Sequence, residues 1–444
     1  MGDDRRRQKR VCSEDCWLRT YSPQPPGAVV DAAYKTLPDQ AEAARKLFRP
    51  IKPWQTRILC IEPAERSTDP LICQLRTAEM IYYEGVVLSD SQVLITYDAL
   101  SYAWGCLNFT HPLIVNGLIY PITANLSNAL RALRDPQQVY YIWVDAVCIN
   151  QYDDEEKSVQ VRRMIAIFRK AQSVIAWLGL KEECGYAAID YLQDSTDVDE
   201  HRDECMPELR EIHKGLQELY KRPWLRRTWV RQEVFVARDL SVRCGQTAVP
   251  WSTFLIVPRV LDSIEEQLRS AKVDFSPADL RALSNVEHLR QGKLEEVALT
   301  TALASRRRND IGWHGGDSIN LLTVLRTAGH FKATNPRDFV YGVLGMTDTA
   351  TRSKADNSPA PDNLETLPVD YSKSVSEIFQ DAAKYLINRG HLLHVLHHAG
   401  GRRGLDLDLP SWTPDWRYTS GSKPNFSATS TLVAIWKIEL LPAS

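Results

Sequence analysis

Motifs that identify several common enzyme classes are missing from this sequence. It contains no GxGxxG, no GxxxxGK(S/T), no HExxH and no GxSxG pattern. These absences argue against ordinary nucleotide kinases, zinc proteases and α/β-hydrolases. No apolar run approaches the roughly 20 residues needed to cross a bilayer, and the charged N-terminus lacks the apolar core of a signal peptide. We therefore expect a cytoplasmic protein without a membrane partner.

Cysteine pairs and an excess of one charge are also lacking. The 9 cysteines are scattered without a CxxC pair, and their number is odd. This pattern favours reduced thiols over a disulfide framework. The net charge of -2 gives no reason to expect nucleic acid as a partner. The length of 444 residues is enough for two or three domains.

The stretch from Val139 to Gly179 organises the rest of the chain. Val139–Asp145 is an apolar, β-rich run that predicts a buried strand, and Ser173–Gly179 predicts a second one. Between them, apolar residues at helical spacing predict a helix capped by Asp153; these are Val161, Met164, Ile165 and Phe168. Strand, helix and strand in this order predict a parallel βαβ unit with a right-handed crossover. Chemistry in such units lies at the carboxyl ends of the strands, which here carry Asp145, Cys148, Asn150, Gln151 and Gly179.

The segments around this unit complete an α/β domain. Tyr97–Gly105 begins as a strand, and Leu113–Tyr120 predicts a hairpin with Asn116 and Gly117 at its tip. The order β, hairpin, α, β, α, β predicts a parallel sheet flanked by helices. Residues 1–50 are polar, and we expect them to be partly disordered. From residue 252 to residue 444 the pattern is mainly helical.

A carboxylate on an apolar helix face is the sharpest functional candidate. Arg222–Ala237 predicts a single helix with Pro223 in its first turn. Its apolar face carries Leu225, Trp229, Gln232, Glu233 and Val236. A buried carboxylate has a raised pKa unless a cation pairs with it, and such a group near strand ends is a functional candidate. A buried ion pair between Glu233 and Arg227 or Arg243 is the alternative that the spacing leaves open.

Other polar residues have a structural interpretation beside the functional one. Asp145 could bind a ligand hydroxyl or accept backbone N–H groups at the strand end. Asn150 and Gln151 could bind a ligand, although such residues more often stabilise a turn. Cys148 is expected to be a buried small side chain. His391, His394 and His398 share one helical face, but the leucines around them favour packing over a metal site, and we predict no metal.

Three blocks of this sequence resemble the heterokaryon-incompatibility (HET) domain of filamentous fungi. They are Tyr97–Gly105, Trp143–Gln151 with Glu156–Ser158, and Arg222–Trp224 continuing to Glu233. Further on, the usual tail of these proteins is similar to Asn335–Gly345, Val369–Ser372 and Leu409–Trp416. The resemblance implies a HET domain with N-terminal strands at residues 51–251 and a motif core at 97–237. Relatives commonly continue past the point where this chain stops, so we expect the C-terminal region, 252–444, to be truncated.

The resemblance also implies a function. HET proteins act in non-self recognition after cell fusion and in the programmed cell death that follows. The HET domain is similar to the TIR domain, a flavodoxin-like fold, and Trp229–Glu233 resembles the TIR helix that bears the catalytic glutamate for NAD cleavage. Glu233 would then be the catalytic carboxylate of an NAD glycohydrolase, with NAD as substrate and no cofactor. Residues expected to bind the substrate are Trp104, Asp145, Asn150, Gln151, Arg227, Trp229 and Arg231.

A second hypothesis needs no catalysis. The α/β domain would self-associate as TIR adaptors do, and the helical region would restrain it or bind an incompatibility partner protein. Glu233 would then be structural.

Overall fold

A computed structural model of the chain describes residues 37–79, 87–89, 94–194, 206–255, 257–270, 321–326, 328–347, 367–400 and 406–419. Two predictions lie wholly or partly outside these residues. One is the disorder expected before residue 51, of which only residues 37–50 are described. The other is the helical pattern after residue 252, of which 271–320 is not described.

The strands are numbered in chain order. They are β1 (Gln55–Ile61), β2 (Ile72–Glu79), β3 (Val87–Ser89), β4 (Leu94–Ile95), β5 (Asp98–Tyr102), β6 (Phe109–Val115), β7 (Leu118–Thr123), β8 (Tyr140–Trp143), β9 (Val174–Gly179), β10 (Leu240–Cys244) and β11 (Thr247–Pro250).

The helices are numbered in the same way. They are α1 (Gln40–Leu47), α2 (Ala124–Leu133), α3 (Asp145–Cys148), α4 (Asp154–Lys170), α5 (Lys181–Cys184), α6 (Tyr186–Asp194), α7 (Met206–Tyr220), α8 (Val230–Val236), α9 (Trp251–Leu255), α10 (Val257–Ser270), α11 (Leu321–Leu325), α12 (Asp338–Leu344), α13 (Val375–Asn388) and α14 (Leu392–Ala399). Short 3₁₀ turns occupy Pro223–Arg226 and Ala328–His330.

The strands form one mixed sheet. Its main path runs β11-β10-β9-β5-β8-β1-β2-β3-β4, and the hairpin of β6 and β7 branches from β2. The pairs β10–β9, β9–β5 and β5–β8 are parallel. The pairs β8–β1, β1–β2 and β10–β11 are antiparallel. The α/β class is therefore confirmed.

The expectation of a parallel sheet is wrong, because antiparallel strands flank the parallel centre on both sides. On one side β1 lies between β8 and β2 and runs antiparallel to both. On the other side the chain reverses at Gly245, whose φ is +57°, and returns as the edge strand β11. Tight reversals produce antiparallel neighbours, whereas parallel neighbours need long crossovers.

The predicted strand–helix–strand unit is present as β8, α4 and β9. Every residue of β9 is buried, as the apolar run predicts. The two strands are parallel but not adjacent, since β5 lies between them. The N-cap is also confirmed, because Asp153 Oδ1 accepts the backbone N–H groups of Glu155 and Glu156 at 3.1 and 3.0 Å.

The hairpin prediction is confirmed as β6 and β7. Asn116 and Gly117 form its turn with φ values of +51° and +78°, which suits a two-residue primed turn. In contrast, α1 was not anticipated in the polar N-terminal segment. It begins at an N-cap, Asp39, whose side chain accepts the N–H groups of Ala41 and Glu42.

The described residues fall into two compact units. The first, called the sheet unit, comprises the described parts of Met1–Tyr152, Ala171–Trp224 and Leu240–Ile264, and it contains every strand named above. The second, called the helical unit, comprises the described parts of Asp153–Lys170, Leu225–Asp239 and Glu265–Ser444. It contains α4, α8 and α11 to α14. The domain boundaries expected from the motifs remain a prediction.

Tryptophans with satisfied indole groups fill the core of the sheet unit. Trp143, Trp177 and Trp224 are each no more than 1% exposed. Their indole N–H groups donate to Thr56 Oγ1 at 3.2 Å, Asn125 Oδ1 at 2.8 Å and Ser101 Oγ at 2.7 Å. A buried indole needs such an acceptor, so these contacts fix the tryptophans against neighbouring elements of the sheet unit.

Capped helices build the C-terminal part of the helical unit. The predicted capping box is confirmed: Ser374 Oγ accepts the N–H of Glu377, whose carboxylate accepts the N–H of Ser374. Gly390, with a φ of +85°, follows this helix as predicted. Within the described residues, no helix combines the length and apolar character that a membrane crossing requires.

Candidate functional site

The carboxyl ends of the neighbouring strands β5 and β8 bring two predicted residues together. Trp104 follows β5 and Asp145 follows β8. The indole N–H of Trp104 donates to Asp145 Oδ2 at 2.9 Å, and Asp145 Oδ1 accepts the N–H of Ala146 at 2.8 Å. Both side chains are half-buried. The strand-end position predicted for Asp145 is observed, whereas its contact with Trp104 was not predicted; this contact fixes the orientation of the indole ring.

The turn after β8 uses the next predicted residues for its own structure. Gln151 Nε2 donates to the backbone oxygen of Asp145 at 2.8 Å. Asn150 Oδ1 accepts the N–H of Tyr152 at 3.2 Å. These contacts agree with turn stabilisation, and their part in ligand binding stays a prediction.

Removing the indole donor should weaken the sheet unit. We expect Trp104→Phe to lower the free energy of unfolding by about 1–2 kcal/mol, because the half-buried Asp145 carboxylate loses a hydrogen bond. The matched control is Trp54→Phe, since Trp54 is 52% exposed. It should change stability by less than about 0.5 kcal/mol. Urea unfolding of the three proteins makes the comparison, and equal midpoints would contradict the assigned contact.

Cys148 is a buried side chain, as predicted. It is 0% exposed, and burial raises the pKa of its thiol to about 12. Its backbone oxygen accepts a hydrogen bond from Arg57 Nη1 at 3.1 Å. A thiol that stays protonated is a poor nucleophile, so Cys148 is unsuited to covalent catalysis.

Thiol labelling checks this assignment. With iodoacetamide at mildly alkaline pH, Cys148 of the folded protein should stay unmodified, whereas the half-buried Cys106 should react first of the two. Peptide mass spectrometry before and after denaturation reports both sites. Alkylation of native Cys148 at the rate of Cys106 would show that the segment opens.

The helix predicted over Arg222–Ala237 is interrupted. A 3₁₀ turn ends at Arg226, and α8 begins at Val230. Between them Arg227 forms an isolated parallel β-bridge with Lys332, and the N–H of Thr228 donates to the backbone oxygen of Lys332 at 3.1 Å. The prediction of one continuous helix is therefore wrong, because pairing with a distant segment replaces local helical bonds at this point.

Helix α8 is buried on all sides. Every residue from Val230 to Val236 is buried, and Glu233 is 2% exposed. The expected single apolar face is thus replaced by complete burial, since α8 packs against both α4 and α12. Glu233 itself is removed from solvent, as predicted. The N–H groups of Gln232 and Glu233 donate to the backbone oxygen of Trp229 at 3.1 and 3.2 Å.

The two predicted arginines differ in their surroundings. Arg231 is 3% exposed; its Nη1 donates to the backbone oxygen of Val324 at 2.9 Å, and its guanidinium lies 4.8 Å from the ring centre of Phe331. Arg227 is half-buried, and its charge opposes the rise that burial causes in the pKa of the Asp338 carboxyl. The guanidinium of Arg231 thus lies inside the packed core, and Arg227 retains contact with solvent.

The sequence analysis missed a cluster of aromatic and charged side chains around Asp338. Asp338 Oδ1 accepts the hydroxyl of Tyr371 at 2.7 Å, and the indole of Trp229 lies beside the same carboxylate. The ammonium of Lys157 lies 4.7 Å from the ring centre of Tyr371. Asp338 lies in the tail motif Asn335–Gly345, and Tyr371 lies in the tail motif Val369–Ser372. Their presence in these motifs was the only indication of the cluster in the sequence.

The histidines of α14 lie close together without forming a metal centre. The ring centres of His391 and His394 are 6.2 Å apart. Burial lowers the pKa of His398 to about 4, with smaller contributions from the neighbouring charges. In the described part of the chain, no three His, Cys, Asp or Glu side chains are grouped so that they could hold a metal ion.

Comparisons with known proteins agree with the motif analysis. Residues 97–233 match a family model described as heterokaryon incompatibility protein (HET), and the resemblance is confirmed for this segment. The chain is 28% identical over 428 residues to "Heterokaryon incompatibility protein 6, OR allele" of Neurospora crassa. That match covers 81% of this chain but only 57% of the relative. No solved structure matches the chain, and the likeness to TIR and flavodoxin-like folds remains a prediction.

Proposed function

We propose that this chain acts in heterokaryon incompatibility, the recognition of non-self after fungal cells fuse and the programmed cell death that follows. The support is the HET match over residues 97–233 and the name of the Neurospora crassa relative. A cytoplasmic location and an incompatibility partner protein belong to the same proposal.

The proposed activity is hydrolysis of NAD, with Glu233 as the catalytic carboxylate. The observation that carries it is a carboxylate, 2% exposed, on a short helix at the end of the matched segment. In the reaction the bond between nicotinamide and the anomeric carbon of ribose breaks, and water adds to that carbon. The products are nicotinamide, ADP-ribose and a proton.

This reaction suits a carboxylate that is shielded from water. Nicotinamide leaves with the electron pair of the broken bond and becomes neutral, so no strong general acid is needed. Positive charge develops on the ribose ring, and a carboxylate in a low-dielectric surrounding stabilises it more than water does. Glu233 would act through its charge or by binding the ribose hydroxyls.

Neighbouring residues divide the remaining roles. Of the two arginines, the half-buried Arg227 is better suited than Arg231 to meet a pyrophosphate, because the guanidinium of Arg231 is buried on Phe331. The ring of Trp229 is half-buried and fixed by its indole contact with Asp338, so it could stack on a ring of the substrate. Substrate binding by Trp104, Asp145, Asn150 and Gln151 stays a prediction.

A direct assay tests the proposal. The purified full chain is incubated with NAD, and nicotinamide and ADP-ribose are quantified by liquid chromatography. We expect both products in equal amounts, with multiple turnovers per chain, and none with heat-denatured protein. Intact NAD after prolonged incubation with folded protein would contradict catalysis by the isolated chain.

A second candidate function is a self-associating, non-enzymatic signalling module. The observation that favours it is the internal use of polar groups at the ends of β5 and β8, where Trp104 and Gln151 both donate to Asp145. Light scattering across a concentration series tests it. Reversible growth of the particle mass, together with cell death caused by Glu233→Gln, would favour this candidate over catalysis.

A further inference from the structure

The carboxylate of Asp338 joins segments that are far apart in the sequence. It is the first residue of α12, it accepts a hydrogen bond from the hydroxyl of Tyr371, and it lies beside the indole of Trp229. Tyr371 is itself held in place, since its N–H donates to Ser158 Oγ at 3.3 Å and its ring meets that of Tyr341 at 5.2 Å. Lys157 completes the cluster over the Tyr371 ring. All of these residues lie in the helical unit.

Trp229 connects this cluster to Glu233. Its backbone oxygen accepts the N–H of Glu233 at 3.2 Å, so the position of Trp229 fixes the first turn of α8. No side chain caps this helix. The packing of α8 against α4 and α12 and the contacts of Trp229 therefore orient this helix together.

Helix α12 makes a second contact with Trp229 and with the residue before it, Thr228. Gly342 lies one turn after Asp338, and a Cβ at this position would meet Thr228 Cγ2 at 2.9 Å and Trp229 Cδ2 at 3.5 Å. Helix α12 therefore lies close to the side chains of Thr228 and Trp229 at Gly342, and it lies beside the indole at Asp338. Such close packing restricts the Trp229 ring to one orientation.

We propose that Asp338 is a positioning residue, which holds the indole of Trp229 and thereby orients Glu233 in α8. The proposal rests on the NAD hydrolysis proposed above for its functional meaning, but the contact between Asp338 and Trp229 can be tested separately. Asp338 itself is not assigned contact with the substrate.

A gain in folding stability does not explain why a carboxylate occupies position 338. Burial raises the pKa of the Asp338 carboxyl above its ordinary value, although Tyr371, Trp229, Lys157 and Arg227 act in the opposite direction. A raised pKa means that the folded state binds the proton more tightly than the unfolded state does. The resulting stability is present below the ordinary carboxyl pKa and is lost as the pH rises through the raised value. Wherever the side chain is ionised, it therefore costs stability.

The enzymatic test compares variants of the full chain. Asp338→Asn should lower kcat for NAD hydrolysis at least about tenfold, because a misplaced catalytic group loses rate steeply, while KM changes less than about threefold. Its melting midpoint at neutral pH should stay within about 3 °C of wild type. The control is Asp381→Asn, whose partner Lys373 lies 2.8 Å away in a half-exposed ion pair; it should keep the wild-type kcat.

A spectroscopic readout separates this proposal from the proposed activity. The indole ¹⁵N–¹H resonance of Trp229, assigned by its loss in Trp229→Phe, should shift in Asp338→Asn. In wild type it should titrate with a midpoint above the ordinary carboxyl pKa. If wild type leaves NAD intact while this resonance behaves as described, the activity proposal fails and the contact stands. An unshifted resonance, or a wild-type kcat in Asp338→Asn, would overturn the positioning role.

A second variant keeps the test decisive if Asp338→Asn does not fold. Tyr371→Phe removes one donor to Asp338 and leaves the carboxylate and the indole in place. It should raise the pKa read from the Trp229 resonance, because a hydrogen bond to the charged form is lost. An unchanged titration midpoint would overturn the proposal.

Discussion

Glu233→Gln should reduce the rate of NAD hydrolysis by at least about 100-fold, the scale on which enzymes lose rate when one preorganised electrostatic group is removed. The substitution keeps the size of the side chain and removes only the negative charge. Because Glu233 is 2% exposed, solvent cannot replace that charge as ribose becomes positive. Initial rates at saturating and limiting NAD separate the loss in kcat from any change in KM.

Two controls make this result specific. Glu211→Gln changes an exposed carboxylate on α7 and should leave the rate unchanged. Thermal melting must show that Glu233→Gln is folded, since replacing a buried charge can itself alter stability. A folded Glu233→Gln protein with the wild-type rate would remove Glu233 from the mechanism and favour its interpretation as a structural carboxylate.

Gly185→Ala should strongly destabilise the sheet unit. Gly185 joins α5 to α6 with a φ of +79°, and a Cβ there would lie 2.8 Å from the Cα of Gly215 in α7. A left-handed alanine costs about 1–2 kcal/mol. The clash with backbone adds about 1–3 kcal/mol. Backbone cannot rotate away as a flexible side chain can, so α6 and α7 must separate.

Gly117→Ala is the matched control for this change. Gly117 has a φ of +78°, but a Cβ there would meet nothing within 4 Å. It should therefore cost only the conformational part, about 1–2 kcal/mol. Urea unfolding monitored by tryptophan fluorescence measures both. Equal losses for the two variants would show that α6 and α7 have room to adjust.

Local signals in the sequence predicted the elements that depend on neighbouring residues. Asn116 and Gly117 specify their turn because both must adopt positive φ. Ser374 and Glu377 specify the N-terminal cap of their helix because the side chain of each accepts the backbone N–H of the other. Asp145 could be placed at a strand end because it closes an apolar, β-rich run, whereas its hydrogen bond with Trp104 was not anticipated.

Features that depend on distant residues could not be predicted in the same way. The break before α8 arises because Thr228 pairs with Lys332, which no pattern within Arg222–Ala237 reveals. The antiparallel flanks of the sheet arise from the pairing of β1 with β8, a choice that a single strand does not encode. Asp338 was overlooked because its partners, Trp229 and Tyr371, come from separate motifs.

The place of β5 between β8 and β9 affects how the protein can be made. Ala99 pairs with Trp143 on one side and with Val174 on the other, so both partners leave the ribosome after β5 does. Pairings between distant residues form slowly. Until its partners are synthesised, β5 therefore exposes Ala99, Leu100 and Tyr102, which are buried in the folded protein. Nascent chains arrested before Val174 should therefore engage chaperones, and expression fragments that end there should aggregate.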